Sequence, residues 1–419
     1  MRGIPLGRGV KDLLLVAPDD EAGRLTLRAL LLGFAFWIPI SIVGAQVFGY
    51  GAAAVWLAMA RRRRSLGVRL SWAVPMGLFA VFSVVGALAG PDPARGVRRL
   101  HRLLLLVLVF APSASLPADD ARRGKWAVRL LAAFVAGASL QAAYDVIRIG
   151  RALLGGARGM ALYGLGNMRD PQFYMCAVLI GLAAGGSPAA AGTRGWRWGS
   201  LLLNAAGLVL HFKRGVWLAF AGAAALVCGV SRRRLLVPGG LLVVALLGLS
   251  PVRARLGALR EEWRPDASRR ILWTQVAPAL LRQYPWGVGR GVLRNEDLCR
   301  YGPIREPNLT HVHNNILQIG VESGWSGLAA WIVWMGTVAC AMVANVRRAR
   351  VGRAADEWAP LAVAACFLGL HLNGGVEYNF GDSEIFMWFI LLMGLTLLQA
   401  SAGRPASVEK ADAGGKESS

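Results

Sequence analysis

The sequence predicts an all-α polytopic membrane protein, and two observations carry that prediction. The chain has 419 residues, of which 55% are hydrophobic, and its mean hydropathy is +0.46. Apolar stretches of roughly 17–22 residues recur along it, which is the length a helix needs to cross a bilayer. The formal net charge of +23 falls between these stretches and not on one soluble face, which argues against a nucleic-acid-binding protein.

About twelve apolar runs can be placed along the chain, and each is predicted to be a membrane-spanning helix. Pro39 and Pro75 interrupt two of them, so the count carries an uncertainty of roughly one span. The runs begin near Leu27, Val47, Ser71, Leu103, Trp126, Phe173, Leu201, Val216, Leu235, Ile319, Pro360 and Ile385.

Arginine-rich connections predict the orientation, because basic residues accumulate on the cytoplasmic side of a membrane. Five such connections would face the cytoplasm, and an even span count places both termini there too: Arg61–Arg64, Arg122–Lys125, Arg194 with Arg197, Arg232–Arg234 and Arg347–Arg350. The opposite side then receives segments 91–102, 147–171 and 251–318, the pair Lys213-Arg214, and a short turn around 371–383. The exported arginines of the first segment, Arg95, Arg98, Arg99 and Arg102, run against this bias and predict contact with an anionic ligand or lipid head group.

These assignments divide the chain into four parts. Residues 1–250 hold the first nine spans, 251–318 form one large external loop, and 319–401 hold the last three spans. Residues 402–419, rich in Ser, Gly, Ala and charge, are predicted to be a disordered cytoplasmic tail.

The external loop contains one predicted helix and one predicted turn. Apolar residues recur at helical spacing between Ser268 and Tyr284, with Asp266 or Ser268 as the N-cap. Arg269 and Arg270 lie in the first turn, where a cation is unfavourable unless an anion binds nearby. The glycines of the segment Pro285–Gly291 then allow the tight turns that end the helix.

The polar segment His311-Val-His-Asn-Asn315, just before a long apolar run, is the best candidate for chemistry. We predict His313 to be a general base, because a free imidazole can accept a proton near neutral pH. Asn314 and Asn315 could fix its tautomer, and His311 is expected to point away. The acidic residues that could support the histidine are Asp145, Asp170, Glu377 and Asp382, among which the sequence does not choose.

Two further features bear on ligand binding. Lys213-Arg214 interrupts an apolar stretch and predicts a turn at the external surface, where Gly215 would let a ligand approach Arg214. No metal is expected, because His311 and His313 are two residues apart and no HExxH sequence is present. The five cysteines show no ligand or disulfide spacing.

These motifs together resemble the O-antigen ligase and polymerase superfamily. His313-Asn-Asn-Ile-Leu-Gln318 followed by Glu322-Ser-Gly-Trp-Ser-Gly327 is similar to its histidine signature. Lys213-Arg214-Gly215 resembles its serine-arginine-glycine element, with Lys213 in place of the usual small polar residue. Arg269 through Trp273, followed by Pro285 to Gly291, resembles its arginine-x-x-x-tryptophan helix and glycine turn. The motifs cover about a third of the chain.

The resemblance implies a GT-C-like glycosyltransferase of the bacterial inner membrane with its active site facing the periplasm. It implies metal-independent, inverting transfer of a polysaccharide from undecaprenyl pyrophosphate to a sugar hydroxyl of lipid A–core, without a cofactor. By the family pattern, Arg214 and Arg269, with Arg270 in reserve, bind the pyrophosphate and His313 deprotonates the acceptor. The exported arginines would meet acceptor phosphates.

Three alternatives remain open at the level of the sequence. A repeat-unit polymerase shares the donor chemistry but uses an acceptor that is also carried on undecaprenyl pyrophosphate. A protein O-oligosaccharyltransferase of the superfamily usually carries a larger C-terminal region. A transporter or flippase has a similar span count, but it predicts charges at mid-span and an internal repeat, and neither is seen.

Overall fold

The described structure, a computed structural model, is a bundle of helices. It describes residues 21–62, 70–117, 122–156, 169–185, 194–231, 268–304, 308–352 and 358–401, with Asn167, Arg253, Gly257 and Arg264. Within these ranges every regular element is helical. The predicted run near Leu235, the N-cap candidate Asp266 and the predicted tail 402–419 lie outside the described residues.

Fifteen α-helical segments occur in the described ranges. They are α1 Glu21–Trp37, α2 Ile42–Arg62, α3 Leu70–Ala89, α4 Pro93–Arg98, α5 Ala111–Ala114, α6 Arg123–Leu154, α7 Asp170–Ala184, α8 Arg194–Leu210, α9 Arg214–Ser231, α10 Ser268–Ile271, α11 Ala277–Gln283, α12 Asn295–Cys299, α13 Asn315–Gly352, α14 Trp358–Gly374 and α15 Ser383–Ser401. A 3₁₀ helix, Leu100–Val109, precedes α5, and a π-helical turn, Leu272–Val276, joins α10 to α11.

Six described helices are long and apolar enough to cross a membrane, namely α2, α3, α6, α9, α13 and α15. The shorter apolar helices α7 and α14 add to the bundle. Each predicted run that falls on described residues lies on a helical element. The run near Leu103 differs from an ordinary span, since it forms the ten-residue 3₁₀ helix and then α5. The total of twelve spans and the GT-C architecture stay predictions.

Helix α15 lies at the centre of the bundle. In its most apolar window, 94% of the residues are buried inside the protein. Trp388 of α15 stacks on Phe134 of α6, with ring centroids 3.6 Å apart and an interplanar angle of 7°. By contrast, apolar side chains of α2 and α3 such as Val43, Val47, Val74 and Val81 are exposed, as expected of helices facing hydrocarbon.

The predicted helix from Ser268 to Tyr284 is confirmed, although a π turn interrupts it. Pro278, which has no backbone N–H to donate, follows that turn in the first positions of α11. Gly287, Gly289 and Gly291 then adopt φ of 99°, 87° and 62°, so the predicted glycine turn is also present.

Helix α13 is broken at Gly324, whose φ of 71° and ψ of −176° are non-helical. The break leaves the carbonyls of Val321 and Glu322 without intrahelical partners. The backbone N–H groups of Val288 and Gly289 donate to them at 2.9 and 3.0 Å. The glycine turn and the start of α13 are therefore held together as one unit, next to the site described below.

Candidate functional site

His313 lies immediately before α13 in a conformation that few non-glycine residues adopt, with φ of 51°. Its neighbours hold this conformation in place. The Asn314 side chain accepts a hydrogen bond from the Leu317 N–H at 3.1 Å, as a helix cap does, and donates to the Gly375 carbonyl at 2.8 Å. On the other side, the Gln318 side chain accepts from the Val312 N–H at 2.8 Å. Such strain, held by surrounding contacts, is typical of functional sites.

The carboxylate of Glu377 fixes the protonation of the His313 ring. His313 Nδ1 lies 2.8 Å from Glu377 Oε1, and because the carboxylate can only accept, Nδ1 carries the hydrogen. The Nε2 atom is buried and has no hydrogen-bond partner among the described residues. In the neutral form of the ring, the hydrogen is therefore on Nδ1 and Nε2 keeps a lone pair that can accept a proton.

His311 does not point away, contrary to the expectation from its place in the chain. Its Nε2 lies 3.4 Å from the same Glu377 oxygen, and its ring centroid is 4.3 Å from that of His313. Between the two histidines, the Val312 carbonyl accepts a hydrogen bond from Trp273 Nε1 at 2.7 Å, which holds this segment in place. Both histidines therefore face one carboxylate.

Glu377 is ionised in this setting. Burial alone would raise the pKa of its carboxyl, but hydrogen bonds from His311 and His313, together with the charge of Arg269, outweigh burial and hold the pKa well below its usual range. Arg269 NH2 lies 3.6 Å from the carboxylate, and NH1 donates to the Val376 carbonyl at 3.0 Å. Arg270, the reserve candidate, is exposed at the next position of α10.

Arg214 begins a different helix, whose first turn packs beside the residue that precedes Glu377. It is the first residue of α9, and only 7% of its surface is exposed. A Cβ on its neighbour Gly215 would lie 2.9 Å from the side chain of Val376 and 3.1 Å from that of Asn373. Glycine thus lets the start of α9 pack closely against the segment that carries Glu377.

These side chains share a scaffold, the 375–382 loop between α14 and α15. Asn315 anchors it, donating to the Asn379 side chain at 2.6 Å and accepting from the Phe380 N–H at 3.1 Å. Asp382, named from sequence as a possible support for the histidine, accepts from the backbone N–H groups of Glu384 and Ile385 at the start of α15. The carboxylate at His313 belongs to Glu377.

The exported arginines reach the site unequally. Arg102 NH1 donates to the Gly381 carbonyl at 2.9 Å, and the Arg99 side chain lies next to Gly291. Arg98 is exposed on α4. Asp92 is the N-cap of that helix, and its side chain accepts a hydrogen bond from the backbone N–H of Arg95. Arg290, which sequence reasoning did not select, is buried and donates to the Phe380 carbonyl at 2.9 Å.

Three side chains at the site could hold a metal ion by position. Ligand atoms of His311, His313 and Glu377 all lie within 4.8 Å of one another. Arg269 places a positive charge beside the carboxylate, which opposes a second cation there. The 2.8 Å contact between His313 and Glu377 is also an ordinary hydrogen-bond distance. The geometry therefore fits a histidine–carboxylate dyad better than a metal centre.

Comparison with known families finds one matching segment, about a third of the chain. Residues 199–332 match the family model described as O-antigen ligase, a segment that runs from α8 into α13 and includes Arg214, Arg269 and His313. The match confirms the resemblance to the O-antigen ligase and polymerase superfamily. Members of the family are glycosyltransferase-like enzymes that act in O-antigen processing. No curated protein matches the chain.

Proposed function

We propose that this protein is an O-antigen ligase that transfers a glycan from undecaprenyl pyrophosphate to a sugar hydroxyl of lipid A–core, on the periplasmic face of the bacterial inner membrane. One observation carries the proposal. His313 Nε2 is buried and has no hydrogen-bond partner among the described residues, while Nδ1 lies against the ionised Glu377, whose carboxylate is also 3.6 Å from Arg269.

The chemistry that this arrangement can perform is a single displacement. His313 Nε2 takes the proton of the acceptor hydroxyl as its oxygen forms a bond to the anomeric carbon of the donor sugar. The bond between that carbon and the pyrophosphate oxygen breaks, and the pyrophosphate leaves with the electron pair. One displacement inverts the anomeric centre, and the proton remains on an imidazolium that Glu377 stabilises.

Arg214 and Arg269 would bind the pyrophosphate. A guanidinium is always charged and offers paired N–H donors that match phosphate oxygens. Pyrophosphate becomes a good leaving group once its developing charge is neutralised, so the reaction needs neither an acid catalyst nor a metal. His313, Glu377 and Arg269 lie together at the 375–382 loop, and α9, which begins with Arg214, packs beside Val376. We expect this loop to hold donor and acceptor in line.

Transfer by the purified protein tests this proposal. With an undecaprenyl-pyrophosphate-linked glycan and lipid A–core, the wild type should form long-chain product with or without a chelator. His313→Ala should lower the rate by about 10²–10⁴-fold, the usual contribution of a general base. His101→Ala is the matched control, since His101 is exposed on the 91–102 segment. If His313→Ala transfers the glycan at the wild-type rate, His313 is not the general base.

A deletion strain separates the ligase from the polymerase of the same superfamily. Loss of a ligase removes every O-antigen chain from the core, whereas loss of a polymerase leaves a band with a single repeat. Lipopolysaccharide gels of the deletion, complemented with the wild type or His313→Ala, give the answer directly. A single-repeat band would replace the ligase proposal with the polymerase.

A further inference from the structure

Three arginines converge at the end of the 375–382 loop opposite to Glu377. Arg102 donates to the carbonyl of Gly381 and Arg290 to that of Phe380, each at 2.9 Å, so two guanidinium groups hold adjacent peptide units. Arg99 completes the group, since its side chain lies 3.7 Å from where a Cβ on Gly291 would be. Segment 91–102 and the glycine turn contribute to the group from different parts of the chain.

The group is short of acceptors. The Nε atoms of Arg102 and Arg290 are buried and have no hydrogen-bond partner in the described part of the chain. Arg290 is only 8% exposed; its NH2 is bonded to the Phe380 carbonyl and its guanidinium lies 5.0 Å from the centre of the Phe386 ring, but the buried Nε donor is left unsatisfied, which is costly. Within the same described residues, none of the three arginines makes an ion pair.

The carboxylates of Glu322 and Asp382 already accept hydrogen bonds from other groups. Glu322 accepts from the Tyr378 hydroxyl at 2.5 Å, from Gln318 at 3.0 Å and from the Gly291 N–H at 3.1 Å. Asp382 caps α15, as described above. Burial above all, and then the positive charges of Arg290 and Arg99, lower the pKa of Arg102, although Tyr378 and Asp382 act in the opposite direction.

The group adjoins a cleft of suitable character. The cleft is small and open to the outside, and Arg290 lines it together with Phe79, Ser83, Glu322, Tyr378 and Phe380. Its lining is largely aromatic, and Arg290 and Glu322 are the charged residues in it. The glycine turn and the break in α13 position Arg290 rigidly, because they are joined by backbone hydrogen bonds.

We propose that Arg102 and Arg290, with Arg99 at the rim, form a second phosphate-binding site, separate from the Arg214 and Arg269 pair and taking a phosphate group of a glycolipid substrate. The site rests on the proposed function, which supplies two phosphorylated lipids. It narrows the exported cluster to Arg99 and Arg102 and adds Arg290 from the glycine turn. The 375–382 loop would then hold a substrate phosphate at one end and the base at the other.

Direct binding tests the site without requiring turnover. Radiolabelled lipid A–core and the undecaprenyl-pyrophosphate glycan would each be titrated against detergent-solubilised protein that carries His313→Ala. Arg290→Gln and Arg102→Gln should each weaken binding of one lipid about tenfold or more, the scale of a charged hydrogen bond. Arg300→Gln is the matched control, since its side chain is 73% exposed in the same polar segment.

Which of the two lipids binds more weakly to the variants shows which lipid supplies the phosphate. Weaker binding of lipid A–core, abolished by removing its phosphates, assigns the site to the acceptor. Weaker binding of the undecaprenyl-pyrophosphate glycan assigns it to the donor. If Arg290→Gln and Arg102→Gln bind both lipids as tightly as the control Arg300→Gln does, the proposal is overturned, even where transfer by the wild type is observed.

If transfer is absent but the binding loss appears, the catalytic proposal fails and the phosphate site stands. Melting temperatures identify a variant that does not fold, in which case the other variant decides.

Discussion

At the scale of single residues, the site depends on a carboxylate that arrives late in the chain. Glu377 follows His313 by 64 residues and is the group that fixes its tautomer. Replacing it with glutamine keeps the shape but removes the charge that stabilises an imidazolium. We expect Glu377→Gln to reduce transfer by about 10²–10⁴-fold, as loss of an orienting carboxylate does in related dyads. Rates measured across pH, beside those of His313→Ala, check this; transfer at the wild-type rate would remove Glu377 from the mechanism.

The same carboxylate predicts a pH dependence of stability. The pKa of Glu377 is depressed in the folded protein, so the charged form contributes stability that is fully present above the ordinary value of 4.5. That contribution is lost as the pH falls from there toward the folded pKa. The difference in melting temperature between wild type and Glu377→Gln should therefore be largest near neutral pH and shrink in acid. If the difference in melting temperature is the same at every pH, the ionised form of Glu377 does not contribute to stability.

The arginines give a third prediction at this scale. Arg214→Lys and Arg269→Lys should each lower activity substantially although charge is preserved, because an ammonium cannot reproduce paired N–H donors. Arg282→Lys, an exposed position on α11, serves as the matched control. The measurement is the KM for the donor together with kcat. Full activity of both lysine variants would indicate attraction by charge alone.

At the scale of elements, the break in α13 requires a glycine. Gly324 has a backbone conformation open to almost no other residue, and a Cβ there would lie 2.3 Å from the Pro285 carbonyl oxygen. We expect Gly324→Ala to destabilise the protein by about 1–3 kcal/mol or more and to lower activity, because it separates the glycine turn from α13. Gly336→Ala is the control: it lies in the same helix with open space around it and should be neutral or stabilising by up to about 1 kcal/mol. The melting temperatures of the two variants test this prediction. Equal values for Gly324→Ala and Gly336→Ala would show that the break in α13 does not require a glycine.

The helices and loops differ in how far the sequence predicts them. Helical spacing and turn-forming glycines are local signals, so the helix from Ser268 and the turn at Pro285–Gly291 were predictable. The partner of His313 was not, because the choice among four acidic residues depends on which loops meet in space. A uniformly apolar run carries no periodicity to distinguish lipid from protein surroundings, so the central place of α15 was also hidden. Arg290 lacked any signal beyond its glycine-rich neighbours.

At the scale of the whole molecule, orientation in the membrane is the largest inference from charge. Segment 91–102 was assigned to the periplasm against the usual bias, and in the structure Arg99 and Arg102 lie beside the same loop as His313. Arg95→Cys, in a background lacking the exposed Cys299 and Cys340, should react with an impermeant thiol reagent added from the periplasm. Labelling only after the cytoplasmic side is opened would reverse the orientation and remove the proposed function with it.

The 375–382 loop has a consequence for how this protein can change. Connections between helices usually tolerate insertions and deletions, since few contacts depend on their length. Here the seven consecutive positions 375–381 contact side chains from α10, the glycine turn, segment 91–102 and residues 311–322, and the start of α9 packs beside Val376. Adding or removing one residue would shift every one of these contacts out of register. This loop should therefore be as intolerant of length variation as the interior of a helix.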